Sequence, residues 1–166
     1  MAFTNTNDSG GLFINGYAAR GPGFNSASAF HARGNGDLSG EAMQGLSRFD
    51  RKFFGMSVNE AQYTDPQVRF LLEVTYEALV DAGVVDFELL KLLSVGVYVG
   101  SSFADFHSAA LKDPKTITGY EHLGAAGAML ANMISRVFRF TGPSMKVDTA
   151  CSSSLVAFDL VRECVA

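Results

Sequence analysis

Residues 147–155 read Val-Asp-Thr-Ala-Cys-Ser-Ser-Ser-Leu, and they place one thiol, Cys151, between a predicted strand and a predicted helix. Residues 143–147 are typical of a short strand, and the apolar-rich residues 155–161 predict a helix. Cys151 is therefore expected near a first helical turn, where free backbone N–H groups and the helix dipole favour negative charge. Such a place favours the thiolate, which is the nucleophilic form of cysteine. The neighbouring side chains are small, so the pattern suits acyl transfer to sulfur.

A structural interpretation of Cys151 stays open at this point. A free cysteine commonly serves as a small buried hydrophobic side chain, and turns that join a strand to a helix are frequent. Local chemistry alone does not separate the two interpretations.

A longer block of sequence around Cys151 favours the catalytic interpretation over the structural one. Residues 142–157 (GPSMKVDTACSSSLVA) resemble the active-site block of the β-ketoacyl synthase (ketosynthase) domain of type I polyketide and fatty acid synthases. Further segments resemble the same family, in family order from about His31 to Ala166: 49–57 (FDRKFFGMS), 65–73 (DPQVRFLLE), 77–83 (EALVDAG) and 95–100 (VGVYVG).

The resemblance implies a fold and a reaction. The fold is expected to be α/β, the N-terminal half of a thiolase-like layered α-β-α-β-α fold with a mixed sheet. Cys151 would take an acyl chain from the phosphopantetheine arm of an acyl carrier protein, and its backbone N–H would form part of the oxyanion hole. A malonyl-type extender would then be decarboxylated and condensed with the acyl group. The resemblance also implies a homodimer and no tightly bound cofactor.

The chain departs from the family pattern in three respects. The family's opening strand, an apolar run that ends in a Gly-rich turn, is not visible before residue 31. Met133 stands where the family usually has an arginine, a planar five-donor group that methionine does not replace. The two histidines and the lysine that ketosynthases use belong to motifs downstream of residue 166. We therefore expect residues 31–166 to be a partial ketosynthase N-terminal domain that stops after the active-site helix, and residues 1–30, which are rich in Gly, Asn and Ser, to be flexible or disordered.

Composition excludes several classes of protein. The net charge of −4, the pI near 5.3 and the lack of a basic cluster argue against a nucleic-acid-binding surface. No apolar stretch is long enough to span a membrane, and residues 1–20 lack the pattern of a secretory signal. Cys151 and Cys164 lie thirteen positions apart on one predicted helix, or about 20 Å, too far for a disulfide. We expect a reduced, cytoplasmic protein.

Helical and strand signals alternate after residue 65. Asp65 followed by Pro66 predicts a capped helix start, and Gly83 predicts its end. A short helical segment is expected over 87–93, a buried strand over 95–99 and a helix over 125–138, whose methionine-containing stripe is expected to be core. This alternation predicts an α/β layered fold.

Other candidate sites are weaker. His31, His107 and His122 could each serve as a base for Cys151, as in a cysteine–histidine hydrolase, but none lies in a context that matches the ketosynthase histidine motifs. His107 and Asp105 are too few and too loosely placed for a metal site. Neither glycine-containing segment (99–102 and 124–127) completes a phosphate-binding pattern, and both are expected to provide tight turns and close helix–sheet packing.

Three carboxylates receive structural interpretations. Glu73 and Glu77 lie one helical turn apart and could form an acid pair, although a solvated or salt-bridged helix face, with Arg69 as one candidate partner, is the preferred interpretation. Asp148 lies close to the thiol in sequence and would oppose thiolate formation unless it is paired, so we interpret it as structural.

Three functions stay open. The first is a fragment of a β-ketoacyl synthase that is acylated on Cys151 and condenses only as part of a larger synthase. The second is a truncated, non-condensing protein that acts as a dimerisation partner or is inactive. The third is thioesterase-like hydrolysis at Cys151. The TACSSSL block is common to polyketide and fatty acid synthases and does not separate them.

Overall fold

The computed structural model of the chain describes residues 2–6, 12–33, 45, 47–84, 86–90, 94–102, 105–110, 120, 124 and 126–164. The chain divides into two compact units. The first unit consists of Met1–Phe49 with Glu73–Val85, and the second consists of Asp50–Leu72 with Asp86–Ala166. One helix, Pro66–Asp81, contributes residues to both units.

The first unit contains an antiparallel strand pair. Strands β1 (Ala2–Thr6) and β2 (Leu12–Tyr17) pair over their whole lengths, and helix α1 (Ala27–Arg33) follows them. We expected residues 1–30 to be flexible or disordered. The structure instead has β1, β2 and part of α1 in this range. Neither strand shows the strict apolar–polar alternation that marks a strand in a sequence, so neither was recognised.

A small apolar cluster lies beside these strands. Ala18, Val74 and Ala78 are buried together. Gly16 is required at the contact of β2 with the helix, because a Cβ atom there would lie 2.3 Å from the Ala78 carbonyl oxygen. The Tyr17 amide also donates to Asp81 Oδ2 at 3.0 Å, so the end of β2 is fixed to the last residue of that helix.

The second unit is built from helices around a short parallel sheet. Strands β3 (Val97–Gly100) and β4 (Ser144–Val147) pair in parallel, with Val97 opposite Ser144 and Gly100 opposite Val147. In chain order, the helices of the described residues, including the helix shared with the first unit, are α2 (Val58–Tyr63), α3 (Pro66–Asp81), α4 (Phe87–Leu90), α5 (Asp105–Ala110), α6 (Met129–Phe138) and α7 (Ser153–Cys164). Helices α6 and α7 pack against both strands.

The core of the second unit matches the predicted apolar stripes. On α6, Met133 and Ile134 are buried, so the methionine-containing stripe is core, as expected. Val68 and Leu72 of α3 are also buried. The other buried apolar residues described in this unit are Met56, Leu90, Val97, Val99, Leu130, Ala131, Phe138, Val147 and Ala157.

Several predicted element boundaries are confirmed and others shift. Asp65 caps α3, because its Oδ1 accepts from the Gln67 amide at 2.8 Å, and Gly83 has φ of +79° just after the helix end. Burial raises the pKa of the Asp65 carboxyl, and the Gln67 hydrogen bonds and the Arg69 charge oppose that rise. Strand β3 occupies 97–100 rather than 95–99, and α6 begins at 129 because 127–128 form a turn. Residues 91–93 and 125 lie outside the described residues.

The predicted α/β class is confirmed. The described strands form one antiparallel and one parallel two-stranded sheet, and the parallel sheet carries helices packed against it. None of the described helices is long and apolar enough to cross a membrane.

Candidate active site

Cys151 lies in a tight turn between β4 and α7. The turn is a single 3₁₀ segment, Ala150–Ser152, and α7 begins directly after it at Ser153. The sequence predicted that Cys151 would lie near the first turn of a helix, and the structure places it in this 3₁₀ turn. The Cys151 side chain is exposed, so a reagent or substrate in solvent can reach the sulfur.

The backbone just before Cys151 is left-handed. Ala150 has φ of +53°, a region that L-residues other than glycine seldom occupy. Such a conformation costs about 1–2 kcal/mol for an L-residue. The surrounding contacts must therefore hold the turn in this shape, and they project the thiol from it.

Serine hydroxyls supply part of this restraint. Ser153, which is buried, accepts from the Thr149 amide at 2.9 Å and donates from the same Oγ to the Ala150 carbonyl oxygen at 2.6 Å. Ser152 Oγ donates to the Thr149 carbonyl oxygen at 2.8 Å. Sequence reasoning treated these serines only as small neighbours, although serine is known to form such local backbone bonds at helix starts.

Strand β3 approaches the same turn closely. A Cβ atom at Gly100 would lie 2.6 Å from the backbone of Ser153 and Ser154, so only glycine allows this contact. Ser101, one residue later, donates its amide to the Val147 carbonyl oxygen at 3.1 Å. The expectation that Gly100 serves close helix–sheet packing is confirmed, and the packing is against the first residues of α7.

Asp148 is paired on both sides. Its Oδ1 accepts from the Ala150 amide at 3.3 Å, and its Oδ2 accepts from Lys146 Nζ at 3.3 Å. The structural interpretation of Asp148 is therefore confirmed. Sequence reasoning missed Lys146 as its partner, and the signal that could have found it is the opposite charge two residues before Asp148, near the end of β4.

The three histidine candidates lie in different parts of the chain. His31 lies in the first unit, where its Nε2 is 3.2 Å from the Tyr17 hydroxyl. His107 lies on α5, and His122 lies outside the described residues. Within the described ranges, no cluster of three or more His, Cys, Asp or Glu side chains could hold a metal ion.

Glu73 and Glu77 form a salt-bridged face, but not with Arg69. Both carboxylates pair with the guanidinium of Arg20. Burial alone would lower the pKa of Arg20, and the hydrogen bonds and charges of Glu77 and Glu73 outweigh it and raise that pKa. Arg69 instead donates from Nε to the Thr64 carbonyl oxygen at 3.1 Å. The suggestion that Arg69 joins this face was wrong, and the partner of the face is Arg20, 53 residues from Glu73 in sequence.

Met133 stands where the family usually has an arginine. It lies on the buried face of α6, with 3% of its surface exposed. Within the described residues, the buried side-chain polar atoms without a hydrogen-bond partner are Arg20 Nε and Ser135 Oγ. Neither of these atoms belongs to a carboxylate, so the described residues include no buried carboxylate that lacks a partner. The core accommodates Met133 as an apolar side chain.

Comparison with known proteins identifies the same family on independent grounds. Residues 19–165 match the family described as β-ketoacyl synthase, N-terminal domain. The chain is 44% identical over 117 residues to fatty acid synthase of the goose Anser anser anser, covering 70% of this chain and 33% of that protein. It is 48% identical over 111 residues to highly-reducing polyketide synthase 1 of Aureobasidium melanogenum, covering 67% of this chain and 5% of that protein.

Solved structures show the same likeness. An oxazolomycin ketosynthase domain of Streptomyces albus superposes with a TM-score of 0.79 at 27% identity, covering 92% of this chain and 32% of that one. The ketosynthase from module 6 of the bacillaene synthase of Bacillus subtilis has a TM-score of 0.72 at 27% identity, covering 89% of this chain and 27% of that one. The chain therefore spans about a third or less of the length of these proteins, and its fold is of the thiolase-like type found in ketosynthases.

Proposed function

The chain belongs to the β-ketoacyl synthase family, a family of acyl-transferring condensing enzymes, and from that premise we propose that Cys151 accepts an acyl group from a thioester. The observation that carries the proposal is the exposed thiol on a turn that is restrained from both sides, by Ser153 on α7 and by Asp148 after β4. A cysteine with a merely structural role has no need of a strained, solvent-facing turn.

The proposed step is a transthioesterification. The Cys151 thiolate attacks the carbonyl carbon of the acyl thioester and forms a tetrahedral intermediate, whose oxyanion is stabilised by the backbone N–H of Cys151. The bond to the leaving sulfur then breaks, the departing thiolate takes up a proton, and the acyl group remains on Cys151. We propose that the donor is the phosphopantetheine arm of an acyl carrier protein, so that the chain binds no cofactor of its own.

Condensation completes the proposed reaction. A malonyl-type extender loses carbon dioxide, and the resulting carbanion attacks the carbonyl carbon of acyl-Cys151. The bond from that carbon to the Cys151 sulfur then breaks, which frees the thiolate and leaves the β-ketoacyl product on the extender thioester. In relatives this step depends on histidines from motifs that have no counterpart among residues 1–166. We therefore propose that the 166-residue chain alone is acylated but does not condense, and that its setting is the reducing cytoplasm, where Cys151 stays a free thiol.

We also propose that the chain associates as a homodimer. The supporting observation is a set of exposed apolar side chains on β4 and α7: Leu155 is 72% exposed, and Met145 and Phe158 are each 40% exposed. Exposed apolar surface of this kind favours burial against a partner. The same observation supports the second candidate function, that of a dimerisation partner without condensing activity.

Acyl loading tests the proposal directly. The chain is incubated with a medium-chain acyl N-acetylcysteamine thioester, digested with trypsin and analysed by mass spectrometry. We expect the acyl mass on the peptide 147–162, which contains Cys151, and no such adduct in Cys151→Ala. Cys164→Ala is the matched control and should load normally, because Cys164 is also exposed but lies at the end of α7. Equal loading of Cys151 and Cys164 would count against a specific nucleophile, and turnover to free acid would favour thioesterase-like hydrolysis.

A further inference from the structure

The side chain of Lys146, on the short strand β4, is restrained by its neighbours although lysine side chains are usually mobile. Its side chain is only 19% exposed. Its aliphatic arm lies along Gly127, where a Cβ atom would be 3.4 Å from Lys146 Cδ and 3.5 Å from Nζ. Packing of this kind restricts a side chain that is otherwise among the most mobile, so the ammonium group has a defined position.

That position connects Lys146 to the turn that carries Cys151. The ammonium donates to Asp148 Oδ2, and the second oxygen of the same carboxylate accepts from the Ala150 amide. Ala150 is the left-handed residue that immediately precedes Cys151. A continuous set of contacts therefore runs from the arm of Lys146 to the backbone of the reactive turn.

We propose that Lys146 is a positioning residue for Cys151, a role that rests on the proposed function of Cys151 as nucleophile. Lys146 fixes the Asp148 carboxylate in the orientation that binds the Ala150 amide, and it compensates the negative charge of that carboxylate. Without the ammonium, the negative charge of the Asp148 carboxylate would be uncompensated three residues from Cys151 in sequence and would disfavour negative charge on the sulfur. The turn would also lose one of its restraints, because a carboxylate with one fixed oxygen rotates more freely.

The experiment measures the reactivity of Cys151 with iodoacetamide in the full chain, at fixed pH, with Cys164 of the same molecule as the internal reference. Trypsin cleavage after Arg162 separates the two cysteines, so mass spectrometry gives both rates from one digest. We expect Lys146→Met, which keeps the apolar arm and removes the charge, to lower the ratio of the Cys151 rate to the Cys164 rate about three- to fivefold, a modest effect because Asp148 is half exposed. Lys146→Arg should restore the ratio to within about twofold of the wild type, because it restores the charge.

Asp148→Asn, alone and combined with Lys146→Met, tests whether Lys146 acts through the Asp148 carboxylate or only through the packing of its aliphatic arm. Asp148→Asn keeps an oxygen that can accept from the Ala150 amide but has no charge to compensate. In this background Lys146→Met should have no further effect on the ratio, whereas a merely structural role of the lysine arm predicts the same loss in both backgrounds. An unchanged ratio in Lys146→Met, an equal loss in Lys146→Arg, or an equal loss in the Asp148→Asn background would each overturn the proposal.

The two proposals fail in different ways. Iodoacetamide reports the reactivity of the thiol, and the acyl thioester reports acyl transfer. If the wild-type chain is not acylated while the alkylation ratio still responds to Lys146 as expected, the proposed function fails and the positioning of Cys151 by Lys146 stands.

Discussion

At the scale of the residue, Ala150 determines the shape of the reactive turn. Its φ of +53° is unfavourable for an L-side chain, and its own side chain is exposed, so a larger residue there meets no packing barrier. Replacement by a β-branched residue therefore tests the backbone alone. Alanine already bears the general cost of positive φ, and a β-branched side chain adds to it. We expect Ala150→Val to lower the free energy of unfolding by a further ~1 kcal/mol, measured from urea denaturation, and to slow acyl loading of Cys151.

Ala150→Gly is the control for this prediction. Glycine adopts positive φ without steric cost, although it has more freedom in the unfolded chain, so the two effects should nearly cancel and leave stability within about 0.5 kcal/mol of the wild type. If the valine and glycine variants are equally stable, the left-handed conformation at residue 150 is not what restrains the turn.

At the scale of the element, a hydrogen bond joins β3 to the last residue of α7. The Tyr98 hydroxyl donates to Cys164 Sγ at 3.0 Å. This bond, followed by burial and the charge of Cys164, raises the pKa of Tyr98 from 10.0 to about 12. Because the folded state favours the protonated phenol, the contribution of this group to stability is complete below pH 10 and is lost as the pH rises through about 12.

Cys164→Ala should therefore move the Tyr98 pKa back towards 10.0, because it removes the largest cause of the shift. The measurement is phenolate absorbance near alkaline pH, with the Tyr98→Phe titration subtracted in each background so that the other four tyrosines cancel. Cys151→Ala is the matched control and should leave the titration unchanged. If Tyr98 titrates identically with and without Cys164, the bond between β3 and α7 does not form in solution.

The elements that sequence predicts well are those whose signals are local. Helix α3 follows from Asp65 with Pro66 at its start, Gly83 after its end and the apolar spacing between them, and the position of Cys151 between a strand and a helix follows from one continuous block. The pairing of Arg20 with Glu73 and Glu77 was not predictable, because Arg20 lies more than fifty residues before both glutamates and no local pattern links them. The left-handed Ala150 was missed for another reason, since alanine carries no signal for positive φ.

At the scale of the whole molecule, the exposed apolar face of α7 is the surface through which we propose that the chain dimerises. Leu155 contributes the most exposed large apolar side chain of this face. Burying a leucine is worth roughly 1.5–3 kcal/mol, and a lysine in a dimer interface adds the cost of an unpaired charge. We therefore expect Leu155→Lys to weaken dimerisation at least about tenfold, measured by sedimentation velocity over a concentration series.

Val80→Lys is the matched control for the association experiment. Val80 is an apolar residue of α3 that is 44% exposed, so the variant makes the same change from apolar to cationic on a different helix. It should dimerise like the wild type. Two outcomes would contradict a dimer formed through α7: the wild-type chain stays monomeric at the highest concentration, or both variants weaken dimerisation equally. Leu155 would then be exposed for another partner. If Leu155→Lys is monomeric and still acylated on Cys151, the thiol acts within one chain, and dimerisation serves assembly rather than acyl transfer.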